Sequence, residues 1–263
     1  MIVLLADAHL PYSPELDRDP AWIALRGLFD MLSEGDRLYV LGDLFDCWIE
    51  YGPGRYPLRY RPVVEKLLEV LQRGVDIALL VGNHDAWTGT FWPHHGVRLR
   101  HGPIQETFYG EPVWLAHGHE WPHRGWRYRL LLHPVPNRLY RLLLPEPVGL
   151  ELAARIARLL RRRGKDPDRN HMDPRYRAAC ALAGSGKVRH IVCAHTHYPK
   201  RLPLPGGGWY WNVGAWMETR TLLLWDETGP RLCRWSEQGG LLPWEEESGA
   251  EENSRTAHPP GSY

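Results

Sequence analysis

The sequence of 263 residues predicts an α/β fold built on a mainly parallel sheet, with a helical insertion. Three observations favour this fold class. Short apolar runs alternate with helical patterns through about the first 80 residues, as in strand–helix–strand units. Several of the apolar runs end in Asp, Asn or His. The last third of the chain contains short aromatic-rich runs separated by turn residues, which are typical of added antiparallel strands.

The first third of the chain shows the clearest strand–helix alternation. Apolar runs predict three buried strands, at residues 2–6, 37–41 and 75–81. One helix is predicted to begin at Pro20, because Asp19 supplies an N-cap and proline is favoured at the first helical position. A second helix is predicted to begin at Pro62 and to end before Gly74, since glycine suits the residue after a helix.

Later apolar runs predict further strands, at residues 113–116 and 188–193. The runs WYWNV, TLLLW and RLCRW are interpreted as antiparallel strands separated by turns such as Gly229-Pro230. We interpret the Trp- and Tyr-rich segment 208–216 as core and edge-strand packing, in preference to a stacking platform for a ligand.

The stretch from about 123 to 183 is Leu- and Arg-rich, and we interpret it as an insertion of helical pieces into the α/β core. Four prolines are expected to break these helices: Pro134, Pro136, Pro145 and Pro147. Within it, four apolar residues share one helix face: Leu152, Ile156, Leu159 and Leu160. Four arginines lie largely off that face: Arg155, Arg158, Arg161 and Arg162.

Three interpretations of this insertion remain open from the sequence. The first is an ordinary surface helix packed on the core, with solvated arginines. The second is a basic amphipathic segment that rests on an anionic membrane or on a lipid-like substrate. The third is binding to a nucleic-acid backbone, which is disfavoured because the chain has no recognisable nucleic-acid-binding signature.

The bulk composition limits the compartment and the class of protein. The formal net charge is +1, so any basic binding surface has to be local. The four cysteines have no CxxC spacing and are expected to be reduced packing residues. No apolar run approaches the ~20 residues of a membrane span, and the first residues do not resemble a signal peptide. We therefore expect a cytoplasmic protein, with contact at the inner face of a membrane as an alternative.

We expect one domain over residues 1–244, which includes the helical insertion, followed by a tail at 245–263. The tail is expected to be disordered, because its polar composition cannot bury enough apolar surface to fold. No internal repeat divides the chain further.

Five apolar runs are followed by polar motifs, which are DAH at 7–9, GDLFD at 42–46, GNHD at 82–85, HGH at 117–119 and AHTH at 194–197. Ligands of open α/β folds bind at the carboxyl ends of strands, so these side chains are expected to converge. Carboxylate and imidazole without thiolate suit Mn, Fe, Zn, Ni or Co. The set exceeds what one tetrahedral site needs. It is large enough for two metals that share a carboxylate, an arrangement suited to phosphoester hydrolysis.

These five motifs, in this order, resemble those of the calcineurin-like metallophosphoesterases, whose signature is D-x-H, GD-x-x-D, GNH-D/E, a later H and G-H-x-H. The family usually has glycine where Ala194 stands. The resemblance implies a β-sandwich of mixed sheets flanked by helices. It also implies two divalent metal ions as cofactors, with manganese first and Fe, Ni, Zn or Co as alternatives.

The resemblance also implies roles for individual residues. One metal would be held by Asp7, His9 and His197, and the other by Asn83, His117 and His195, with Asp43 bridging both. His84 would contact the scissile phosphate and help to protonate the leaving oxygen, and Asp85 would orient His84. Three further residues are expected to support ligands or substrate: Asp46, His119 and Arg124.

A narrower resemblance is carried by GDLFDCWIEY, GNHDAW, NVGAW and the Leu/Arg-rich insertion. These segments are similar to those of the UDP-2,3-diacylglucosamine diphosphatases of lipid A synthesis. The similarity implies cleavage of a pyrophosphate to UMP and lipid X, with the insertion as a lid over acyl chains. Another phosphodiesterase, nuclease or nucleotide phosphatase remains an alternative, and a metal-bearing scaffold without turnover is a third. The complete set of ligands disfavours the scaffold.

Seven other histidines match no motif and are expected to be ordinary polar residues: His94, His95, His101, His133, His171, His190 and His258.

Overall fold

The computed structural model describes residues 1–120, 134–163 and 174–245. Its α-helices are α1 Pro20–Met31, α2 Arg61–Gln72, α3 Phe91–His94, α4 Pro134–Leu143, α5 Glu146–Arg163, α6 Pro174–Ala183 and α7 Trp216–Thr219. Its strands are β1 Ile2–Leu5, β2 Arg37–Val40, β3 Asp76–Leu80, β4 Arg98–Arg100, β5 Ile104–Phe108, β6 Glu111–Leu115, β7 His190–Cys193, β8 Lys200–Pro203, β9 Trp209–Asn212, β10 Thr221–Asp226, β11 Gly229–Trp235 and β12 Leu241–Pro243. Short 3₁₀ turns lie at Leu16–Arg18 and Leu58–Tyr60.

The strands form two mixed sheets. The first has the order β12-β11-β10-β1-β2-β3-β4, with β1 to β4 parallel and β10 to β12 antiparallel to their neighbours. The second has the order β5-β6-β7-β9-β8, in which β6, β7 and β9 are parallel and both edges are antiparallel. Two mixed sheets flanked by helices confirm the predicted fold class.

Alternation along β1 shows how the layers form. Ile2 and Leu4 pack against residues of the second sheet, whereas Val3 and Leu5 pack under α1 and α2. On the far side of the second sheet, α6 covers the outward face of β7. The result is a four-layer sandwich of helices, sheet, sheet and helix.

The predicted helix starts are confirmed at α1 and within one residue at α2. The Asp19 carboxylate accepts hydrogen bonds from the backbone N–H groups of Ala21 and Trp22, so it caps α1. Pro62 lies in the first turn of α2, and Gly74 follows that helix with a φ of +88°.

The strand prediction was wrong for WYWNV in one respect. This run forms β9, which pairs in parallel with β7 and antiparallel only with β8. The more apolar β9 takes the interior position, and β8 (KRLP), with alternate exposed residues, takes the edge. Gly229 and Pro230 belong to β11 and do not interrupt the strands.

The insertion is helical where the structure describes it. The predicted break at Pro145 is confirmed, because this residue lies between α4 and α5, but Pro134, Pro136 and Pro147 begin helices and do not break them. Pro134 and Pro136 lie in the first turn of α4, and Pro147 lies in the first turn of α5. Proline is tolerated there because the first turn of a helix has no internal partner for its N–H groups.

The buried face of α5 is not the leucine face. Leu150, Ala154 and Ala157 are the residues it buries. Leu152, Ile156 and Leu159 are 40%, 45% and 60% exposed, so a leucine face packed on the core is wrong for these three residues. The side chains of residues 160–163 lie outside the described part of the chain.

Three further expectations concern the cysteines, membrane-spanning helices and the C-terminal tail. The cysteines are unpaired thiols, three of them buried, as predicted. Among the helices that the structure describes, none combines the length and apolar character needed to cross a bilayer. The expected disordered tail falls almost entirely outside the described residues, which end at 245.

Candidate metal centre

The predicted motifs follow strands whose carboxyl ends meet at one end of the sandwich. Asp7, Asp43 and Asn83 follow the parallel strands β1, β2 and β3 of the first sheet. His117 and His195 follow β6 and β7 of the second sheet. The site is therefore assembled from both sheets.

Five residues of these motifs have positive φ, which is rare without glycine. The angles are +51° for Asp7, +42° for His9, +53° for Asp43, +70° for His195 and +65° for His197. Only Tyr109 and Arg220 share this property among the other described non-glycine residues. Backbone strain of this kind is concentrated at functional sites.

Two glycines allow the loops to approach each other closely. A Cβ on Gly42 would lie 2.6 Å from Nδ1 of His117, and Gly42 itself has a φ of +97°. A Cβ on Gly82 would overlap with the Asp43 carboxylate. These contacts explain why glycine precedes both Asp43 and Asn83. Ala194 is not among the residues with positive φ, so alanine adds no backbone strain there.

The first group of converging side chains surrounds Asp7, which is fully buried. Its Oδ1 lies 3.6 Å from Nε2 of His9, 3.7 Å from Nε2 of His197 and 4.0 Å from Nε2 of His117. These separations are too long for hydrogen bonds. They match the spacing of roughly 3–4 Å between ligands that lie about 2.0–2.2 Å from one shared ion.

The second group surrounds Asp43. Its Oδ2 lies 3.4 Å from Nε2 of His117 and 3.9 Å from Nε2 of His9. Nδ1 of His195 lies 3.2 Å from Nε2 of His117. Asp43 therefore belongs to two of the candidate clusters, one with His117 and His195 and one with His9 and His84.

Unpaired buried oxygens indicate that these residues fit a metal. Oδ1 of Asp7 and Oδ1 of Asn83 are both buried, and neither accepts a hydrogen bond from a described residue. Leaving such an acceptor unpaired is costly. Oxygen and imidazole ligands of this type suit a divalent transition metal.

The buried carboxylates of the site favour a proton on the His117 imidazole. Burial alone would lower the pKa of His117, but Asp43 and Asp7 raise it to about 10. Burial would raise the pKa of Asp43, but His117 and His84 hold it well below its usual value. Burial would likewise raise the pKa of Asp7, but His117, His9 and His197 together lower it. Metal would therefore replace a proton shared within this cluster.

Hydrogen bonds from the backbone orient two of the imidazoles. Nδ1 of His117 lies 2.7 Å from the carbonyl oxygen of Leu41, which leaves Nε2 facing the carboxylates. Nδ1 of His84 lies 3.1 Å from the carbonyl oxygen of Asp46, which leaves its Nε2 available to a substrate.

The expectation that the Asp85 side chain orients His84 is corrected by this geometry. The Asp85 carboxylate accepts hydrogen bonds from the backbone N–H groups of Gly82 and Leu44, at 2.5 and 3.3 Å. Burial, together with the charge of Asp43, raises the pKa of Asp85 to about 7. The Asp85 carboxylate therefore links the loop after β3 to the loop after β2. The group that orients the His84 ring is the backbone carbonyl of Asp46.

The structure places two of the three expected supporting residues beside the centre. Oδ1 of Asp46, fully buried, lies 3.8 Å from Nδ1 of His9, on the side of that ring away from Asp7. The ring of His119 lies 5.1 Å from that of His117, so His119 flanks the site. Arg124 lies outside the described residues.

Sequence reasoning missed Asn212 and Glu218. Nδ2 of Asn212, at the end of β9, donates to the carbonyl oxygen of Ala194 at 3.0 Å and to Oγ1 of Thr196 at 2.9 Å. Oε1 of Glu218 lies 3.4 Å from Nδ1 of His197. Asn212 follows an apolar run as the motif residues do, and that position was the available signal.

Comparison with known proteins agrees with this geometry. Residues 1–199 match the family described as calcineurin-like phosphoesterase. A UDP-2,3-diacylglucosamine hydrolase from Pseudomonas syringae pv. tomato is 30% identical over 241 residues, which cover 88% of this chain and 94% of the relative. A hydrolase of the same name from Pseudomonas aeruginosa is 31% identical over 211 residues, 77% of this chain and 84% of the relative.

Among solved structures, the chain is similar to Yfce, a phosphoesterase from E. coli, with 17% identity and a TM-score of 0.44 over 92% of this chain and 96% of that one. The family match covers more than half of the chain, and relatives above 30% identity span over two thirds of it. The chain therefore belongs to the calcineurin-like phosphoesterase family and is a metal-dependent phosphoester hydrolase.

Proposed function

We propose that this protein is a dimetal phosphohydrolase that cleaves the pyrophosphate of UDP-2,3-diacylglucosamine to UMP and lipid X. The observation that carries the dimetal part is the position of Asp43, shared by two clusters of ligand-type side chains. The substrate rests on the names of the relatives and on the apolar surface of the insertion.

The residues divide into two ligand sets around Asp43. Asp7, His9 and His197 would hold one ion, and Asn83, His117 and His195 would hold the other. Two divalent ions supply Lewis acidity and make a water molecule a better nucleophile near neutral pH. Manganese is our first choice among the metals that oxygen and imidazole ligands accept.

His84 is the proposed proton donor to the leaving oxygen. Its ring lies edge-on to His9, with centroids 4.6 Å apart, and its backbone N–H donates to Oδ1 of Asp43 at 2.8 Å. The carbonyl of Asp46 fixes Nδ1, so the proton transferred would be held on Nε2.

The insertion is attached to the loops that carry the site. Tyr140 of α4 packs edge-on against Trp87, three residues after His84, with ring centroids 5.2 Å apart. Arg141 donates to the carbonyl oxygen of Glu50 at 2.7 Å. These contacts hold α4 and α5 beside the loops after β2 and β3.

An apolar surface on α4 and α5 is the feature that favours a lipid substrate. Large apolar side chains are exposed there: Leu139, Leu142, Leu143, Val148, Leu152, Ile156 and Leu159. Exposed patches of this kind mark binding sites for apolar ligands, proteins or membranes. Arg155 and Arg158 on α5 are also exposed and share the single carboxylate of Glu151, at 3.4 and 4.0 Å, so a positive charge remains for anionic head groups. Acyl chains against this surface would place the pyrophosphate at the metal centre. Contact with the inner membrane face is part of the same proposal.

The test is mass spectrometry of products formed from UDP-2,3-diacylglucosamine by Mn²⁺-loaded protein. A chelated sample and a bis-aryl phosphodiester are run alongside. We expect UMP and the lipid monophosphate only when metal is present.

Two other outcomes would redirect the assignment. Cleavage of the aryl diester without cleavage of the lipid would refute the lipid substrate and leave nucleotides and nucleic acids as the next substrates to test. Equal lipid cleavage in the chelated sample would refute the metal-dependent mechanism.

A further inference from the structure

A second cleft lies at the end of the sandwich opposite the metal centre. It has a volume of about 340 Å³ and opens where parallel strands of the second sheet begin, at His190 of β7 and Trp209 of β9. His195 of the metal centre lies roughly 15 Å further along the chain direction. We call this space the basal cleft, and its lining includes Tyr109, His190, Arg201, Trp209, Trp211 and Trp225.

Strand register brings these side chains together. His190 pairs with Trp209 across β7 and β9, and Arg201 pairs with Trp211 across β8 and β9. The first sheet contributes Trp225, whose ring lies edge-on to that of His190 with centroids 5.1 Å apart. Both sheets therefore supply aromatic walls to the basal cleft.

Two buried polar atoms of the lining have no partner among the described residues. They are Nε1 of Trp211 and Nδ1 of His190, in side chains that are 2% and 6% exposed. Native proteins pair nearly all such atoms with protein, water or ligand. This departs from the expectation that His190 is an ordinary satisfied residue.

Arg201 is the one lining cation without an acidic partner in the described part of the chain. Its guanidinium lies 4.1 Å from the ring centroid of Trp209. Of the neighbouring charges, Arg189 contacts Glu111 at 2.9 Å and Asp226 contacts Arg231 of β11, whereas the exposed Glu227 also lines the cleft. The guanidinium can therefore receive an anion without breaking an ion pair.

We propose that the basal cleft binds a small planar aromatic anion, with its ring against the aromatic walls and its anionic group at Arg201. The volume suits a ligand of one or two rings. A mononucleotide and an aromatic carboxylate share this chemistry, so both are probes in the test. The proposal does not depend on the function assigned to the metal centre.

Isothermal titration calorimetry of the full chain in EDTA provides the test, with UMP, indole-3-acetate and inorganic phosphate as separate probes. We expect binding of an aromatic anion and none of phosphate alone. Arg201→Gln should weaken binding about tenfold or more, because a charge-assisted hydrogen bond is lost. Arg234→Gln, which removes an exposed arginine of β11 in the first sheet, should bind as the parent does.

Asp43→Ala separates the basal cleft from the metal centre, and its binding should be unchanged. The proposal is overturned if neither aromatic probe binds at millimolar concentration, if phosphate alone binds equally well, or if Asp43→Ala abolishes binding. Equal affinity in Arg201→Gln also overturns it. If Arg201→Gln has a lower melting temperature than the parent, Trp209→Leu is tested in its place. It should weaken binding of the aromatic probe by the same factor.

Discussion

Asp43 is the side chain on which both halves of the metal centre depend. We predict that Asp43→Ala lowers bound metal from about two equivalents to fewer than one and abolishes turnover, because a shared carboxylate serves both ions. Metal analysis by mass spectrometry and a phosphodiester assay measure the two effects. Asp17→Ala, which changes an exposed carboxylate outside the ligand motifs, is the control. Full metal content with normal activity would refute the bridging role.

His84 is predicted to act on the substrate and not on metal retention. His84→Ala should keep the metal content of the parent and lose about 10²–10⁴-fold in kcat, the range typical of general acid catalysis. His94→Ala, an exposed imidazole, should leave both quantities unchanged. A loss of metal in His84→Ala would instead make His84 a ligand, as its proximity to His9 and Asp43 permits.

Asn212 is predicted to position the loop that carries His195 and His197. Its side chain is fully buried, donates to two groups of that loop and accepts from the N–H of Gly214 at 3.0 Å. Asn212→Ala should weaken metal affinity about 10–100-fold, as loss of a supporting contact commonly does. Metal titration at constant pH measures this, and an unchanged affinity would make Asn212 purely structural.

At the residue scale, the sequence predicted the motif residues because each follows its own apolar run. It missed Asn212 and Glu218 because neither belongs to a ligand motif, although Asn212 also follows an apolar run; their partners in the site are Thr196 and His197. The partner of His84 was mispredicted for a different reason. The contact comes from a backbone carbonyl, and every residue has one, so no residue type identifies it.

At the scale of elements, the buried strands were predictable and the edges were not. The runs that form β1, β2 and β3 are continuous and apolar, which is the pattern of strands covered on both faces. The missed strands β4, β5, β8 and β12 are three to five residues long and half exposed. They carry little periodicity, so their pairing is decided by the neighbouring strand.

The orientation of α5 gives a prediction at the same scale. Replacing Leu152, Ile156 and Leu159 together with Ser should raise KM for the lipid substrate about tenfold or more, since each buried CH₂ contributes about 0.8 kcal/mol. Cleavage of a small aryl diester should not change. Unfolding stability should also change little, because these side chains are already exposed.

Ile23→Ser and Leu242→Ser provide matched controls, because both residues are large, apolar and about half exposed outside the insertion. Neither should affect the lipid substrate. Equal losses on both substrates in the triple variant would show that α5 supports the fold of the site and does not contact acyl chains.

At the scale of the whole molecule, the metal centre joins the two sheets at one end. Two contacts already cross between them without metal: the backbone N–H of His195 donates to Oδ2 of Asp7 at 2.9 Å, and His117 contacts the carbonyl oxygen of Leu41. Ligands on β1, β2 and β3 face ligands on β6 and β7. Ions held between them would couple sheets that otherwise associate through their apolar faces.

We therefore predict that metal raises the melting temperature of the whole chain as one cooperative unit. At a free Mn²⁺ concentration of about 100 Kd, the linkage contributes about 2.7 kcal/mol. For a chain of this size that corresponds to a shift of roughly 5–10 °C. Scanning calorimetry in Mn²⁺ and in EDTA measures the shift. Asp43→Ala should melt at the same temperature in both buffers. An equal shift in Asp43→Ala would place the stabilising ion elsewhere on the protein, and the absence of any shift in the parent would refute the coupling of the sheets.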